Sequence, residues 1–234
     1  MYSFRSKVRF SEIGEDGRLR LSSVINYFQD CSTFQTEELG LGFRYLEKQD
    51  KVWILVSWQV IVHEYPALCE DIKVGTWPYD FKGFFGYRNY VMENEQHQVL
   101  AEANSVWIYM DTATGKPVKI NEEVLKGYEL EERLPMDYAP RKVTLPKIYM
   151  ELQEFPIRHY HIDTNRHVNN GQYIQLAREC IPHDFIVKEV RADYRKAAVL
   201  GDRIFPLVCQ TPEKYTVVLA DSDKVPYVVV EFYQ

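Results

Sequence analysis

The sequence predicts an α+β protein in which a unit of strand, helix and antiparallel strands occurs twice. The 234-residue chain contains 17 Tyr, 12 Phe and 4 Trp, and aromatic residues favour strands over a helical bundle. Apolar residues recur at helical spacing in two regions, and each region is followed by several strand-forming runs. A charged stretch with three prolines, residues 128–150, reads as a linker between a first domain, residues 1–127, and a second, residues 151–234.

In the first domain, a short strand and a turn at Gly14–Gly17 precede a predicted helix. Ser22 or Ser23 is expected to cap this helix, because a serine oxygen accepts a backbone N–H at a helix start. One face of the helix carries apolar residues at three- and four-residue spacing: Val24, Ile25, Phe28, Cys31 and Phe34. Three strand-forming runs follow and predict an antiparallel meander: Val52–Val62, Ile72–Tyr79 continuing through Phe84–Met92, and Val99–Met110.

The second domain repeats this order. A strand over Phe155–Ile162, a loop over Asp163–His167 and a helix over Val168–Cys180 are predicted, with Pro182 stopping the helix. Four strands follow: Phe185–Tyr194, Ile204–Cys209, Tyr215–Leu219 and Tyr227–Phe232. The two helices share a tyrosine, Tyr27 and Tyr173, which suggests a duplicated unit.

Composition and charge exclude several classes of function. The net charge of −6 argues against general affinity for nucleic acid. No apolar run is long enough for a membrane span and the N-terminus has no signal-peptide pattern, so a cytoplasmic protein is expected. The four cysteines lack metal-site or disulfide spacing and are predicted to be free thiols: Cys31, Cys69, Cys180 and Cys209.

A polar cluster between the predicted strand and helix of the second domain is the candidate site. Asp163, Asn165 and His167 alternate, so their side chains share a direction if the loop is extended. Together they offer an acceptor, an amide donor and a group that titrates near neutrality, which suits attack of water on an activated carbonyl. The alternative is structural, because Asp and Asn often form turns and caps before helices.

The string HIDTNRHVNNGQYIQLARECIP resembles the signature of the acyl-ACP thioesterases, and the stretch KVRFSEIGEDGRLRLSSVINYFQDCS resembles the start of that family's first domain. The resemblance implies two tandem hotdog domains, each a long helix wrapped by a curved antiparallel sheet. It places the acyl-chain pocket in residues 1–127 and the catalytic motif in residues 151–234.

The family's activity implies hydrolysis of fatty acyl-ACP to a free fatty acid and the carrier thiol. By position, Asp163 would orient the Asn–His pair and water, Asn165 would stabilise the oxyanion, and His167 would orient or deprotonate the water. Acyl carrier protein is the expected partner, with no cofactor and no metal. An acyl-CoA thioesterase and a non-catalytic acyl-thioester binder are the alternatives, and homodimerisation is left open.

One departure from the family pattern concerns a Glu-Cys pair, which Ala197 and Ala198 replace. Among substitutes for that Glu, Glu179 is expected to be structural, because the helix places it far from His167. Glu189 and Asp193 are alternates on the solvent side of a strand. His159 and His161 are interpreted as strand-surface histidines. Six basic residues provide positive charge that would suit an acidic carrier: Arg166, Arg178, Arg191, Arg195, Lys196 and Arg203.

Overall fold

The computed structural model describes residues 1–234, which form two compact units. The first comprises Met1–Val56 and Val60–Tyr138, and the second comprises Ser57–Gln59 and Ala139–Gln234. The chain therefore passes from the first unit to the second at residues 138–139, within the stretch interpreted as a linker.

The first unit is an antiparallel sheet packed against a long helix. Its elements in chain order are β1 (Tyr2–Lys7), α1 (Leu21–Glu38), α2 (Phe43–Lys48), β2 (Lys51–Val62), β3 (Asp71–Lys82), β4 (Phe85–Asn94), β5 (Val99–Asp111), β6 (Lys116–Pro117) and α3 (Glu122–Gly127). The strands lie in the order β1-β3-β4-β5-β2, and β6 pairs with β5. As predicted, α1 buries an apolar face, because Val24, Phe28 and Cys31 are 0% exposed, but Phe34, predicted for the same face, is 44% exposed. This face supplies much of the unit's core.

The second unit repeats the arrangement with a shorter helix. Its elements are β7 (Met150–Glu151), β8 (Phe155–Pro156), α4 (Asn170–Arg178), β9 (Glu189–Tyr194), β10 (Arg203–Gln210), β11 (Lys214–Ala220) and β12 (Pro226–Tyr233). The strands lie in the order β9-β12-β11-β10-β7, all antiparallel, and β8 also pairs with β10. The predicted antiparallel meander is therefore present after both helices.

The start of α1 differs from the prediction. Arg20 is the N-cap residue and makes no side-chain capping bond. Ser23 lies inside the helix, where its hydroxyl donates to the Glu12 carbonyl at 3.0 Å. Ser23 therefore bonds the helix to the preceding turn instead of capping it. This bond depends on Glu12, which lies 11 positions earlier in the chain.

The strand predicted over Phe155–Ile162 is wrong beyond Pro156. Residues His159–His161 form a 3-10 turn, in which the His161 N–H donates to the Arg158 carbonyl at 3.0 Å. The imidazole Nδ1 of His161 also accepts the Arg158 N–H at 3.0 Å. These local bonds use the donor and acceptor that a strand partner would need, so the chain turns here. His161 is buried and His159 is exposed, so they do not share a strand face.

The two units contain the same hydrogen-bonded turn before their helices. In the first, the Gly14 N–H donates to the Arg18 carbonyl at 2.8 Å and the Gly17 N–H to the Gly14 carbonyl at 3.1 Å. In the second, the Asp163 N–H donates to the His167 carbonyl at 2.8 Å and the Arg166 N–H to the Asp163 carbonyl at 3.1 Å. In this turn, therefore, the duplication repeats the backbone structure residue for residue.

This register corrects the predicted correspondence of the tyrosines. Since α1 begins at Leu21 and α4 at Asn170, Tyr173 corresponds to Val24, and Tyr27 corresponds to Leu176. Spacing along one helix does not fix such an alignment, whereas the preceding turn does. α1 has 18 residues and α4 has nine, so α4 ends where α1 continues.

Candidate active site

The predicted catalytic residues lie on a tight turn before α4, so the extended loop in which their side chains would share a direction is not present. Arg166 adopts a positive φ of 62°, and the isolated bridge between Ile162 and Val168 closes the turn. The corresponding residue of the first unit is Gly17, also with positive φ (74°). The chain therefore reverses direction, and alternation along a strand does not describe how the side chains point.

Asp163 organises this turn through the backbone. Its Oδ1 accepts the Asn165 N–H at 2.8 Å and the His167 N–H at 3.4 Å. Both residues with proposed chemistry are thus attached to one carboxylate oxygen. The side chains of Asn165 and His167 are exposed and hydrogen-bond to no other residue, so an amide and an imidazole are presented together to solvent.

The residues after the turn secure the start of α4. Asn169 caps the helix, because its Oδ1 accepts the Gly171 N–H at 2.8 Å. Tyr173 is buried, and its hydroxyl oxygen accepts the Ala198 N–H at 2.7 Å; this burial raises the pKa of the Tyr173 hydroxyl well above its usual range. The Val168 N–H donates to the Ala198 carbonyl at 3.0 Å. The turn therefore lies on a rigid base beside the N-terminal, electropositive end of a helix.

The segment that lacks the family's Glu-Cys pair lies beside the motif. Ala198 makes both bonds just described, and it is fully buried, whereas Ala197 is exposed. Neither offers an acid, a base or a nucleophile. This segment therefore adds no acidic, basic or nucleophilic side chain to the motif.

The alternate carboxylates are engaged elsewhere. Asp193 is 3% exposed, so its expected place on the solvent side is wrong; its Oδ2 lies 2.9 Å from Arg195 Nη2 and 3.2 Å from the Val143 nitrogen. Glu189 accepts a bond from Gln59 Nε2 at 2.9 Å. Both groups have structural partners that a strand pattern cannot reveal.

Asp202 is a neighbouring carboxylate that the sequence did not single out. Its Oδ2 accepts the Val199 N–H at 3.0 Å and a bond from the Tyr227 hydroxyl at 3.2 Å. Glu70 of the first unit makes the corresponding bond to the Ala67 N–H at 2.9 Å. The repeat therefore indicates that Asp202 stabilises a turn, and no sequence signal would have distinguished it from other surface acids.

Most of the positive charge predicted for carrier binding is already engaged. Arg178 donates to four main-chain carbonyls beyond α4, and the remaining basic side chains except Arg166 are ion-paired: Arg191 with Glu231, Arg195 with Asp193, Lys196 with Asp221 and Arg203 with Glu154. Arg166, on the motif turn, makes no ion pair within the chain. The free positive charge of the set is therefore located beside His167.

Three further observations concern metal-binding groups, cysteines and membrane-spanning helices. No group of three or more His, Cys, Asp and Glu side chains is arranged to hold a metal ion. All four cysteines are free. Burial raises the pKa of the Cys180 thiol to about 11, which keeps this thiol protonated and unreactive at neutral pH. None of the helices combines the length and apolarity needed to cross a membrane.

Two tandem units of antiparallel sheet and helix, with a polar motif at the start of the second helix, define a double-hotdog protein. The chain belongs to the acyl-ACP thioesterase family: the family's N-terminal domain matches residues 1–128 and its C-terminal domain matches residues 147–221.

Individual relatives agree with this assignment. The chain is 30% identical over 198 residues to the chloroplastic acyl-(acyl-carrier-protein) hydrolase FATB2 of Cuphea viscosissima, an alignment that covers 76% of this chain and 47% of that protein. The chain spans about half the length of this and other curated relatives that it matches.

Two solved structures share the fold. An acyl-ACP thioesterase from Bacteroides thetaiotaomicron superimposes with a TM-score of 0.90 at 19% identity, covering 99% of this chain and 96% of that chain. The 12:0-ACP thioesterase from Umbellularia californica gives a TM-score of 0.88 at 18% identity, covering 100% and 97%. These likenesses confirm the predicted fold of two hotdog domains.

Proposed function

We propose that this protein hydrolyses the thioester of fatty acyl-ACP, using water to form a free fatty acid and the thiol of the carrier. The observation that carries the proposal is the turn in which one carboxylate, Asp163, holds the backbones of Asn165 and His167. Family membership supports the same reaction, because the family is named for it.

The residues of the turn have distinct roles in this proposal. The Asn165 amide donates a hydrogen bond to the thioester carbonyl oxygen, and the bond strengthens as that oxygen becomes negative. The His167 imidazole takes a proton from water as the water oxygen bonds to the carbonyl carbon, and returns a proton to the sulfur as the C–S bond breaks. Asp163 is a positioning residue, since its bonds go to backbone N–H groups.

The first unit is proposed to hold the acyl chain and to perform no chemistry. Its corresponding turn carries Gly14 and Arg18 where the second unit has Asp163 and His167, so it has no carboxylate at the Asp163 position and no imidazole. This difference supports a division of labour between residues 1–127 and residues 151–234. The four free cysteines support action in a reducing compartment, the cytoplasm.

A carrier test distinguishes acyl-ACP from acyl-CoA. Release of free thiol is measured on matched acyl-ACP and acyl-CoA substrates over a series of chain lengths, with His167→Ala as the inactive control. We expect faster turnover of acyl-ACP and loss of turnover in the variant. Faster turnover of acyl-CoA would replace the carrier assignment, and equal rates for the wild type and His167→Ala would overturn the site.

A second candidate function is acyl-thioester binding without hydrolysis. The observation that favours it is the placement of Ala197 and Ala198 beside the motif, because neither side chain has a group that could assist Asp163 and His167. In this case acyl-ACP would bind tightly and release no thiol in the same assay.

A further inference from the structure

The second unit contains a cavity that the proposed reaction does not yet use. Its volume is about 350 Å³, within the range of small-molecule sites. It runs from His161, two residues before Asp163, to Glu179 and Cys180 at the far end of α4. Its walls combine polar groups with the apolar side chains of Leu152, Phe155, Pro156, Leu176 and Pro206. The cavity therefore starts at the base of the motif turn and follows the helix.

The corresponding place in the first unit is filled by a side chain. Tyr27, at the position of Leu176, is 5% exposed and its hydroxyl donates to Glu12 Oε2 at 2.8 Å. Glu12 lies at the position of His161, since each ends the 3-10 turn before the motif. In the second unit, the smaller side chain of Leu176 leaves open the space that the Tyr27 ring occupies in the first unit. His161 lines that space and has no tyrosine hydroxyl to bond with.

His161 offers this space a hydrogen-bond donor. The residue is 3% exposed, and its Nδ1 accepts the Arg158 N–H, so the proton of the neutral ring is on Nε2. Burial, together with the charge of Arg158, lowers the pKa of His161 and favours this neutral form. Nε2 donates to no other residue of the chain, which leaves it available for an acceptor on a ligand.

The charges that line the cavity select the class of ligand. Arg158 and Glu179 both contribute to the lining, and neither makes an ion pair within the chain. Arg158 attracts a carboxylate that Glu179 repels, and Glu179 attracts a cation that Arg158 repels, so the two charges together favour neither kind of ion. A neutral secondary amide suits both, because its carbonyl accepts from Arg158 or His161 and its N–H donates to Glu179. Methyl and methylene groups on either side of such an amide would contact the apolar walls.

We propose that this cavity binds a secondary amide within an apolar chain, namely the pantetheine arm that links an acyl group to ACP or CoA. This inference rests on the proposed function, because it assigns a place to the arm whose thioester is attacked. The arm contains two amides, methylene segments and a pair of methyl groups. Since the nine residues of α4 span about 13 Å, an arm lying along the helix keeps its sulfur end toward the motif turn.

The kinetic test compares two thioesters of one acyl chain. Octanoyl-pantetheine carries the amides, whereas S-ethyl octanethioate carries none. Leu176→Tyr introduces the side chain that fills this space in the first unit. We expect it to lower the ratio of kcat/KM for octanoyl-pantetheine to that for the ethyl thioester about tenfold, through KM, because the amide bonds are lost. Leu130→Tyr, at an exposed position of the first unit, is the matched control and should retain the wild-type ratio. An unchanged ratio in Leu176→Tyr would overturn the proposal.

Direct binding separates failure of this proposal from failure of the proposed function. Titration with free pantetheine, followed by the His161 ring signals in NMR spectra, requires no hydrolysis. Binding by the wild type that is weakened about tenfold in Leu176→Tyr supports the cavity even if no thioester is turned over. Absence of pantetheine binding, or binding of octanoate in its place, overturns the assignment.

A second variant protects the test against misfolding. If thermal unfolding shows that Leu176→Tyr is not folded, Glu179→Ala replaces it, since the Glu179 side chain is exposed and hydrogen-bonds to no other residue. Loss of this acceptor should weaken pantetheine binding severalfold. Pantetheine binding equal to that of the wild type in Glu179→Ala would contradict the proposed amide contact.

Discussion

Replacement of Asp163 tests whether the carboxylate serves the reaction by holding the turn. Asp163→Ala removes the acceptor of two backbone N–H groups, at 2.8 Å and 3.4 Å. The shorter bond is charge-assisted and the longer one is weak, and the turn is partly open to solvent. We therefore expect the free energy of unfolding to fall by about 1–2 kcal/mol.

The catalytic effect should be larger than this loss of stability suggests. When the turn loosens, Asn165 and His167 lose their common anchor, and misplacement by about 1 Å can lower kcat about 10²-fold. Asp163→Asn keeps one acceptor oxygen in the same place and should recover kcat to within about tenfold of the wild type. Thiol release from acyl-ACP gives kcat and KM, and urea denaturation gives the free energy of unfolding.

The first unit supplies a matched control for this experiment. Asp16 Oδ1 accepts the Arg18 N–H at 3.0 Å in the corresponding turn, so Asp16→Ala should also reduce stability but leave kcat unchanged. Wild-type kcat in folded Asp163→Ala would refute the positioning role of Asp163. That role would also be refuted if Asp16→Ala lowered kcat as much as Asp163→Ala does.

Three further predictions concern the same region. His167→Ala and Asn165→Ala should each lower kcat about 10²-fold or more, measured by thiol release. The melting temperature should not change, because both side chains are exposed and form no hydrogen bond to another residue. Wild-type turnover in both variants would exclude the site. Glu179→Gln should reduce turnover far less than His167→Ala, since Glu179 lies at the opposite end of α4, and equal losses would contradict that separation. Arg166→Gly should raise the free energy of unfolding by about 0.5–1 kcal/mol in urea denaturation, because glycine accepts the positive φ found also at Gly17. The same variant should raise KM for acyl-ACP at low salt, because it removes a positive charge beside the motif. An unchanged KM would show that Arg166 does not contact the carrier.

Much of the fold could be predicted from local spacing. The apolar stripe of α1 and the strand-forming runs after both helices follow from side-chain periodicity, which depends on neighbouring residues alone. The exceptions are places where a side chain bonds to nearby backbone. His161 captures the Arg158 N–H and ends a predicted strand, and Ser23 bonds to Glu12 instead of capping α1. Periodicity does not register such bonds.

At the candidate site, too, the sequence identified residues but did not predict their geometry. The residue types offered Asp163, Asn165 and His167 as candidates, but Asp and Asn are also common in turns before helices, so the resemblance to a known family was needed to favour the catalytic interpretation. The sequence predicted a loop here without fixing its geometry, and the structure shows a tight turn in which alternation does not describe how the side chains point. The predicted catalytic roles of these residues remain to be measured.

By itself, the sequence determined the class of most elements, the duplication and the identity of the polar motif. Only the tertiary structure decided what surrounds that motif. Ala198 supports Val168 and Tyr173 from a distant part of the chain, and the repeat of the turn shows that Leu176 leaves open a space that Tyr27 fills. The physical reason is that helix and strand formation follow local spacing, whereas cavities and buried partners arise from contacts between segments far apart in sequence.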